Sequence, residues 1–301
     1  MTANSPCETF PEFLPNAVQQ LTEHPSVELA KHIHQASIQT ELSDRPITTT
    51  YVRQGQGSPP LLLLHGFDSS VLEFRRLLPH LADFRETWAI DLLGFGFTDR
   101  TPTQTLTPQC IKQHLHCVWQ QLIGQPVVLV GASMGGAAAI DFALTYPEAV
   151  SRLVLLDSAG LAIAPAMEKL MFPPFDRWAT AFLKNPGVRR RISRQAYYDK
   201  AFVTPDAEVC AALHLECPNW SEALIAFTKS GGYNFLSQQI AKIAVPTLVV
   251  WGRQDKILGT QDAARFVAQI QQSHLVWIDQ CGHVPHLEKA KETAEAIRHW
   301  L

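Results

Sequence analysis

The sequence predicts an α/β fold: a mostly parallel central sheet led by an antiparallel hairpin, with helices on both faces and a helical insertion. Three observations carry that reading. Short apolar runs at Leu61–Leu64, Val127–Val130, Leu153–Leu156 and Thr247–Trp251 alternate with helical stretches. Continuous apolar character of that length marks strands buried on both faces. Two alternating β-rich stretches, Ser37–Leu42 and Ile47–Arg53, flank the turn signal Ser43-Asp44-Arg45-Pro46 and read as a hairpin. The alternation then stops between Gly160 and Phe235, where no buried strand is visible. That stretch carries Met167, Met171, Phe172, Phe175, Trp178, Phe182, Tyr197, Tyr198 and Trp220.

In order along the chain, residues 1–35 read as a polar, proline-punctuated extension with one short amphipathic helix over Ser26–Gln35. After the hairpin and the strand Leu61–Leu64, Val71–Leu78 reads as helix and Thr87–Asp91 as strand. Thr107-Pro108 opens a helix that runs to Leu122 and stops at Gly124: an N-cap threonine, proline at the first position and glycine past the end. The strand Val127–Val130 leads through a serine turn into the run Ala137-Ala138-Ala139-Ile140. Strands follow at Leu153–Leu156, Thr247–Trp251 and Leu275–Ile278, and Lys291–Leu301 closes the chain as a helix. The expected division is an extension at 1–35, an α/β core at 36–160 and 236–301, and a helical cap at 161–235.

The chain has 301 residues, of which 46% are hydrophobic and 18% charged, enough for a large buried core. Net charge is −3, and Arg189-Arg190-Arg191 with Arg194 is the one basic cluster. That balance excludes a nucleic-acid footprint and leaves the cluster as a solvated face or a contact for an anionic group. No basic start with an apolar signal core stands at the N-terminus, and no apolar stretch approaches the roughly 20 residues that span a bilayer. A cytoplasmic protein without an integral membrane segment is expected. The six cysteines, Cys7, Cys110, Cys117, Cys210, Cys217 and Cys281, form no C-x-x-C pair and read as free thiols, most of them buried. His114 and His116 share a helix with Cys110 and Cys117, but no carboxylate accompanies them at a ligand spacing, so no metal site is expected.

The most informative segment is Gly131-Ala132-Ser133-Met134-Gly135, which joins an apolar strand directly to a helix. Small residues bracket the serine because the turn is sharp, and the helix N-terminus beneath it favours developing negative charge. A serine hydroxyl is a poor nucleophile until a base takes its proton. The usual base is an imidazole held in one tautomer by an acid. Asp255 stands just after the strand Thr247–Trp251, and His283 just after the last strand, giving the order Ser…Asp…His expected on such a sheet. Asp157, which ends the strand before, is the rival acid, and His286 the neighbouring histidine. Two backbone N–H groups must face the oxyanion of an acyl-transfer intermediate. Met134 and Phe67, the latter made accessible by Gly66, are the candidates. His65 reads as a support for that loop, and Asp68, Ser69 and Ser70 as a helix cap.

These motifs resemble those of the α/β-hydrolase fold superfamily in its capped, serine-bearing form. His65-Gly66-Phe67 is similar to the family's oxyanion motif and Gly131 to Gly136 to its nucleophile elbow. Asp91-Leu92-Leu93-Gly94-Phe95-Gly96 is similar to the loop after the next strand, Trp251-Gly252-Arg253-Gln254-Asp255 to the acid loop, and Gly282 to Glu288 to the histidine loop. The resemblance implies Ser133, Asp255 and His283 as the catalytic triad, Phe67 and Met134 as the oxyanion hole, and no metal or organic cofactor. Family members that attack alkyl halides or epoxides carry aspartate at the Ser133 position, so acyl chemistry is implied here. The expected activity is hydrolysis of a carboxylic ester with a hydrophobic group through an acyl-enzyme, on a small-molecule substrate. Alternatives of the same fold are a C–C bond hydrolase or lyase, a hydrolase of long-chain phytyl-type esters, and a hydrolase-like small-molecule receptor. C–C hydrolases of the family usually place tryptophan after the histidine, where this chain has Val284. Oligomeric state and the cap residues that line the pocket are not readable at this level.

Overall fold

The computed structural model describes residues 9–100, 106–161 and 172–301; Cys7, Met167 and Met171 lie outside the described residues. In chain order the helices and strands are α1 (His24–Lys31), β1 (Ile33–Ile38), β2 (Ile47–Gln54), β3 (Leu61–Leu64), α2 (Leu77–Ala82), β4 (Thr87–Ile90), α3 (Pro108–Val118), β5 (Val127–Ala132), α4 (Met134–Thr145) and β6 (Val150–Leu156). They continue with α5 (Phe175–Lys184), α6 (Pro186–Ala196), α7 (Pro205–Ala212), α8 (Trp220–Lys229), β7 (Thr247–Gly252), α9 (Gln261–Gln269), β8 (Ser273–Ile278), α10 (Pro285–Glu288) and α11 (Ala290–Trp300). The eight strands form one sheet in the order β1-β2-β4-β3-β5-β6-β7-β8. β1/β2 and β2/β4 pair antiparallel, and every pair from β4/β3 to β7/β8 is parallel.

The apolar runs of the central strands are explained by burial on two sides. Leu62 and Leu64 of β3 and Val127 and Leu129 of β5 pack with α3, α4 and α9 through Ile111, Ile140 and Phe266. Their neighbours Leu61, Leu63, Val128 and Val130 point the other way, onto Leu77 and Leu81 of α2 and Ala294 and Ile297 of α11. Alternation of side chains along a strand therefore feeds two cores. Among the described residues, no helix is long and apolar enough to cross a membrane.

Several boundaries differ from the sequence expectation. The first hairpin strand runs over Ile33–Ile38 rather than Ser37–Leu42, so it begins inside the stretch read as an extension. Ile33 and Ile38 are both buried, opposite Val52 and Ile47. The ladder ends at Ile38 because the Gln121 side chain takes both backbone groups of Gln39, accepting from its N–H at 3.1 Å and donating to its carbonyl at 2.8 Å. The helix expected over Ser26–Gln35 is correspondingly shorter and earlier. Val71–Leu78 divides into a 3-10 turn at Val71–Phe74 and the start of α2. α9 was not visible in the sequence pattern; only Asp262, Ala263 and Phe266 of it are buried. The helix opening at Thr107 is as expected: the threonine hydroxyl accepts from Cys110 N–H at 3.2 Å, and Gly124 ends the helical stretch at φ 66°. None of the described cysteines is in a disulfide; Cys210 and Cys281 are buried and Cys110, Cys117 and Cys217 partly so.

The join of β5 to α4 is packed to backbone contact. A Cβ on Gly135 would lie 2.1 Å from the Leu64 carbonyl oxygen and 2.5 Å from that of His65. A Cβ on Gly131 would lie 2.3 Å from the Gly135 carbonyl oxygen. Backbone cannot yield as a side-chain tip can. Gly135→Ala is therefore expected to destabilise the fold by about 3 kcal/mol, read as a lowered midpoint in denaturant; an unchanged midpoint would contradict this packing.

Candidate active site

Ser133 sits at the β5–α4 junction with φ 52° and ψ −118°, a conformation rarely adopted by a residue with a side chain. Its N–H donates to the Leu156 carbonyl at 3.0 Å, which anchors the turn to β6. Met134 is the first residue of α4, so its N–H has no intrahelical acceptor. Asp255 follows β7. One of its carboxylate oxygens accepts from the N–H groups of Ile257 at 2.7 Å and Leu258 at 3.2 Å, which fixes the carboxylate plane. His283 follows β8, and its N–H donates to the Ala196 carbonyl at 2.7 Å.

Parallel strands deliver these three loops to one end of the sheet. His283 Nδ1 lies 2.9 Å from Asp255 Oδ2, and His283 Nε2 lies 3.0 Å from Ser133 Oγ. Asp255 and His283 are buried. A continuous hydrogen-bonded line thus runs from carboxylate through imidazole to hydroxyl, the arrangement in which a base can withdraw the serine proton. Phe67 follows Gly66 and lines the same cavity as Ser133. A Cβ on Gly66 would come within 3.4 Å of Ser133 Cβ, so the loop carrying Phe67 passes directly over the serine. The five residues singled out in the sequence, Ser133, Asp255, His283, Phe67 and Met134, are therefore brought together.

Asp157 is close by but not on the hydrogen-bonded line. Its Oδ1 accepts from Gly252 N–H at 3.0 Å, which ties β6 to β7. Donor atoms of Asp157, Asp255 and His283 lie within 4.8 Å of one another. Among the described residues these are the side chains nearest to a metal-ligand set; Asp255 Oδ2 and His283 Nδ1 engage each other, and Asp157 Oδ1 is held by the Gly252 N–H. Burial, and then the Asp255 charge, push the Asp157 carboxyl well above the ordinary carboxylate range. Asp157 therefore holds its proton more tightly than an ordinary aspartate does.

Other residues hold the loops in place. His65 is buried, with Nδ1 2.8 Å from the Gly66 carbonyl and Nε2 accepting from Leu92 N–H at 3.1 Å. Burial lowers its pKa to about 4, so the ring is neutral and its role is architectural, as expected. His286 is buried with its Nε2 2.9 Å from Glu73 Oε1, while Glu73 Oε2 accepts from Gly66 N–H at 2.8 Å. Glu73 therefore fixes the glycine before Phe67. Glu288 does the same for the histidine loop: one carboxylate accepts from Gly282 N–H at 2.8 Å, Tyr198 N–H at 3.0 Å and Asp199 N–H. The sequence reading gave Glu288 no role. Its signal is a lone carboxylate closing the run Val284-Pro285-His286-Leu287, five residues past the histidine.

Asp68 departs from expectation. Ser70, not Asp68, caps the following turn, accepting from Leu72 N–H. Asp68, at φ 50°, turns instead toward the helices between β6 and β7. Its carboxylate accepts from Arg189 Nη1 at 2.6 Å and Trp220 Nε1 at 2.7 Å and meets His214 Nε2 at 3.0 Å. The residue next to Phe67 thereby binds three separate parts of that helical excursion. Burial opposes its ionisation, but His214 and Arg189 outweigh it and bring the carboxyl to about 2. Asp68→Ala leaves the partly buried Arg189 guanidinium without its carboxylate and the Trp220 indole N–H without its acceptor, and is expected to cost about 3 kcal/mol. Because the folded pKa is lowered, this stabilisation is complete above the ordinary value of 3.8 and is lost as pH falls through about 2. Thermal midpoints of wild type and variant should thus converge on acidification below that value; a constant difference would contradict this role for the carboxylate.

A cavity of about 300 Å³ opens over Ser133 and His283. Its walls are mainly apolar, with Leu72, Leu183, Ile192, Ala207, Cys210 and Leu287 among them. Two cations reach the lining. Arg189 is engaged by Asp68, and Arg75 donates to the Leu72 carbonyl at 3.2 Å. Leu183, Ile192 and Ala207 come from α5, α6 and α7, so the helices between β6 and β7 roof the site.

Comparison with known proteins agrees with this architecture. The profile of the alpha/beta hydrolase family matches residues 61–296. The Arabidopsis thaliana protein named alpha/beta hydrolase domain-containing protein VTE7 is 31% identical over 304 residues, covering 99% of this chain and 91% of its own. The 2-hydroxymuconate semialdehyde hydrolase of Pseudomonas sp. (strain CF600) is 29% identical over 288 residues, covering 92% and 95% of the two chains. Among solved structures, a thermophilic esterase from Thermogutta terrifontis has a TM-score of 0.75 at 24% identity, over 89% of this chain and 97% of that one. The match runs from the first buried parallel strand to the final helix, through every loop that builds the site, and the chain belongs to the alpha/beta hydrolase family.

Proposed function

We propose that this hydrolase is a serine esterase that cleaves carboxylic esters with a hydrophobic group through an acyl-enzyme. The observation that carries the reading is the unbroken line Asp255–His283–Ser133 ending under an apolar cavity. Ser133 Oγ attacks the ester carbonyl while His283 Nε2 takes its proton. Asp255 holds the other ring nitrogen, fixing the tautomer and facing the imidazolium that forms. The carbonyl oxygen becomes an oxyanion, to which the N–H groups of Met134 and Phe67 donate. His283 returns the proton to the leaving alcohol. Water then enters, gives a proton to His283 and attacks the acyl carbon, and the returned proton frees Ser133. Every step uses side chains and backbone of this chain alone.

In this reading residues 161–235 form a cap, and its apolar wall selects the hydrophobic group. A C–C bond hydrolase would use the same three residues. The relatives whose names denote hydrolases of muconate-type compounds act on molecules bearing a carboxylate, for which an available cation in the pocket would be the natural partner. Of the two lining cations, Arg189 is held by the Asp68 carboxylate, and the walls are otherwise mainly apolar, which supports a hydrophobic ester. The test is a series of p-nitrophenyl esters of increasing acyl length. Turnover with an optimum at a medium or long chain is expected. Absence of turnover at every length by folded protein would remove the esterase reading.

A further inference from the structure

α5 is amphipathic in the inverted sense. Its polar residues Asp176 and Thr180 are buried, and they bond across to α8: Asp176 to Lys229 Nζ at 3.3 Å, Thr180 to Ser221 Oγ at 2.7 Å. Its aromatic residues face outward. Phe175, Trp178 and Phe182 stand at i, i+3 and i+7 on one side of the helix and are 50%, 63% and 63% exposed. Phe172, just before the helix, extends the patch; its ring lies 5.1 Å from that of Phe175, which in turn lies 5.5 Å from Trp178. Aromatic side chains of this kind are ordinarily buried. Instead a contiguous aromatic surface is left in water, the mark of an interaction site.

The surrounding charge says what covers it. Residues 172–198 contain six cations, Arg177, Lys184, Arg189, Arg190, Arg191 and Arg194, and one carboxylate, Asp176. That carboxylate is buried, and Arg189 turns inward to Asp68. Arg190 pairs with Glu208 of α7. The other four cations are exposed, Arg177 and Lys184 on α5 itself and Arg191 and Arg194 on the next helix, α6, on a chain whose net charge is −3. A second copy of the chain, meeting this face with its own, would oppose cation to cation. An anionic bilayer satisfies both features: aromatic rings enter the headgroup boundary while arginine and lysine meet lipid phosphates.

We propose that the outer face of α5 and α6 docks on an anionic lipid surface. The same two helices contribute Leu183 and Ile192 to the catalytic cavity, so the docked helices also form part of its wall. A hydrophobic ester dissolved in the bilayer would then reach Ser133 without crossing bulk water. That delivery rests on the esterase reading, whereas the docking itself does not.

The test is flotation of the full-length protein with vesicles of phosphatidylcholine alone and of phosphatidylcholine mixed with phosphatidylglycerol. Wild type is expected to float with the mixed vesicles and to remain below with the neutral ones. The triple variant Phe175→Ser, Trp178→Ser, Phe182→Ser and the double variant Arg191→Glu, Arg194→Glu should each lower partitioning by at least roughly tenfold. Neither variant touches the site, so both should keep wild-type circular dichroism spectra and thermal midpoints. Wild type that fails to float, floats equally with both vesicles, or is matched by the folded variants overturns the proposal. So does a concentration-dependent dimer in light scattering that the triple variant abolishes, since that would assign the stripe to a second copy.

Discussion

Ser133→Ala is expected to lower kcat on a p-nitrophenyl ester by on the order of 10^5-fold or more, with the fold unchanged. The substitution removes the one atom that can form the acyl-enzyme. It leaves the Asp255–His283 pair and the cavity intact. The alanine must adopt the same positive φ as Ser133, which a methyl side chain tolerates no worse than a hydroxymethyl. Binding should therefore survive, and a competitive product acid or alcohol should protect wild type and variant similarly against thermal unfolding. Residual catalysis above water would come from the N–H groups of Met134 and Phe67. Retention of a tenth or more of wild-type turnover, verified against contamination by an unrelated esterase, would mean that another group attacks the carbonyl.

Asp255→Asn is expected to cost roughly 10^4-fold in kcat, and the loss should depend on Asp157. An asparagine at 255 can present its amide N–H to His283 Nδ1, which would place the imidazole proton on Nε2 and block withdrawal of the serine proton. It also removes the negative charge that, after burial, raises the Asp157 pKa. Asp157 then ionises more readily, at a position whose carboxylate already belongs to the same cluster within 4.8 Å. The double variant Asp157→Asn, Asp255→Asn should accordingly be roughly tenfold less active than Asp255→Asn alone. Asp157→Asn in the wild-type background should remain active, because Asp157 stands off the line from Asp255 through His283 to Ser133 and an amide oxygen can still accept from Gly252 N–H. A double variant no worse than the single would show that Asp157 is only a tie between β6 and β7.

The order Ser133, Asp255, His283 was legible because each residue lies in the loop or turn that follows a strand, and parallel strands all end on one side. The glycines could be read for the same reason: Gly131 and Gly135 flank a turn where no Cβ fits. Sequence could not reveal the direction of Asp68. A short carboxylate before Ser69-Ser70 has the local pattern of a helix cap, and its true partners Arg189, His214 and Trp220 lie more than a hundred residues away. Glu288 was hidden similarly, since its role is to receive backbone N–H groups that any residue could supply. The first strand was misplaced because its buried positions, Ile33 and Ile38, are five apart and do not share a simple alternation. The outward-facing aromatics of α5 were not legible for a different reason. Burial is the ordinary fate of such side chains, and only coordinates reveal that this helix buries its polar side.

The most direct measurement is to react the protein with a fluorophosphonate and locate the adduct by intact mass and peptide mapping. The phosphorus centre mimics the tetrahedral intermediate and traps a serine that an adjacent imidazole has activated. One adduct per chain on the peptide containing Ser133 is expected, lost in Ser133→Ala and slowed sharply in His283→Ala. An unmodified Ser133, or an adduct at another residue that persists in Ser133→Ala, would contradict the assignment of Ser133 as the nucleophile.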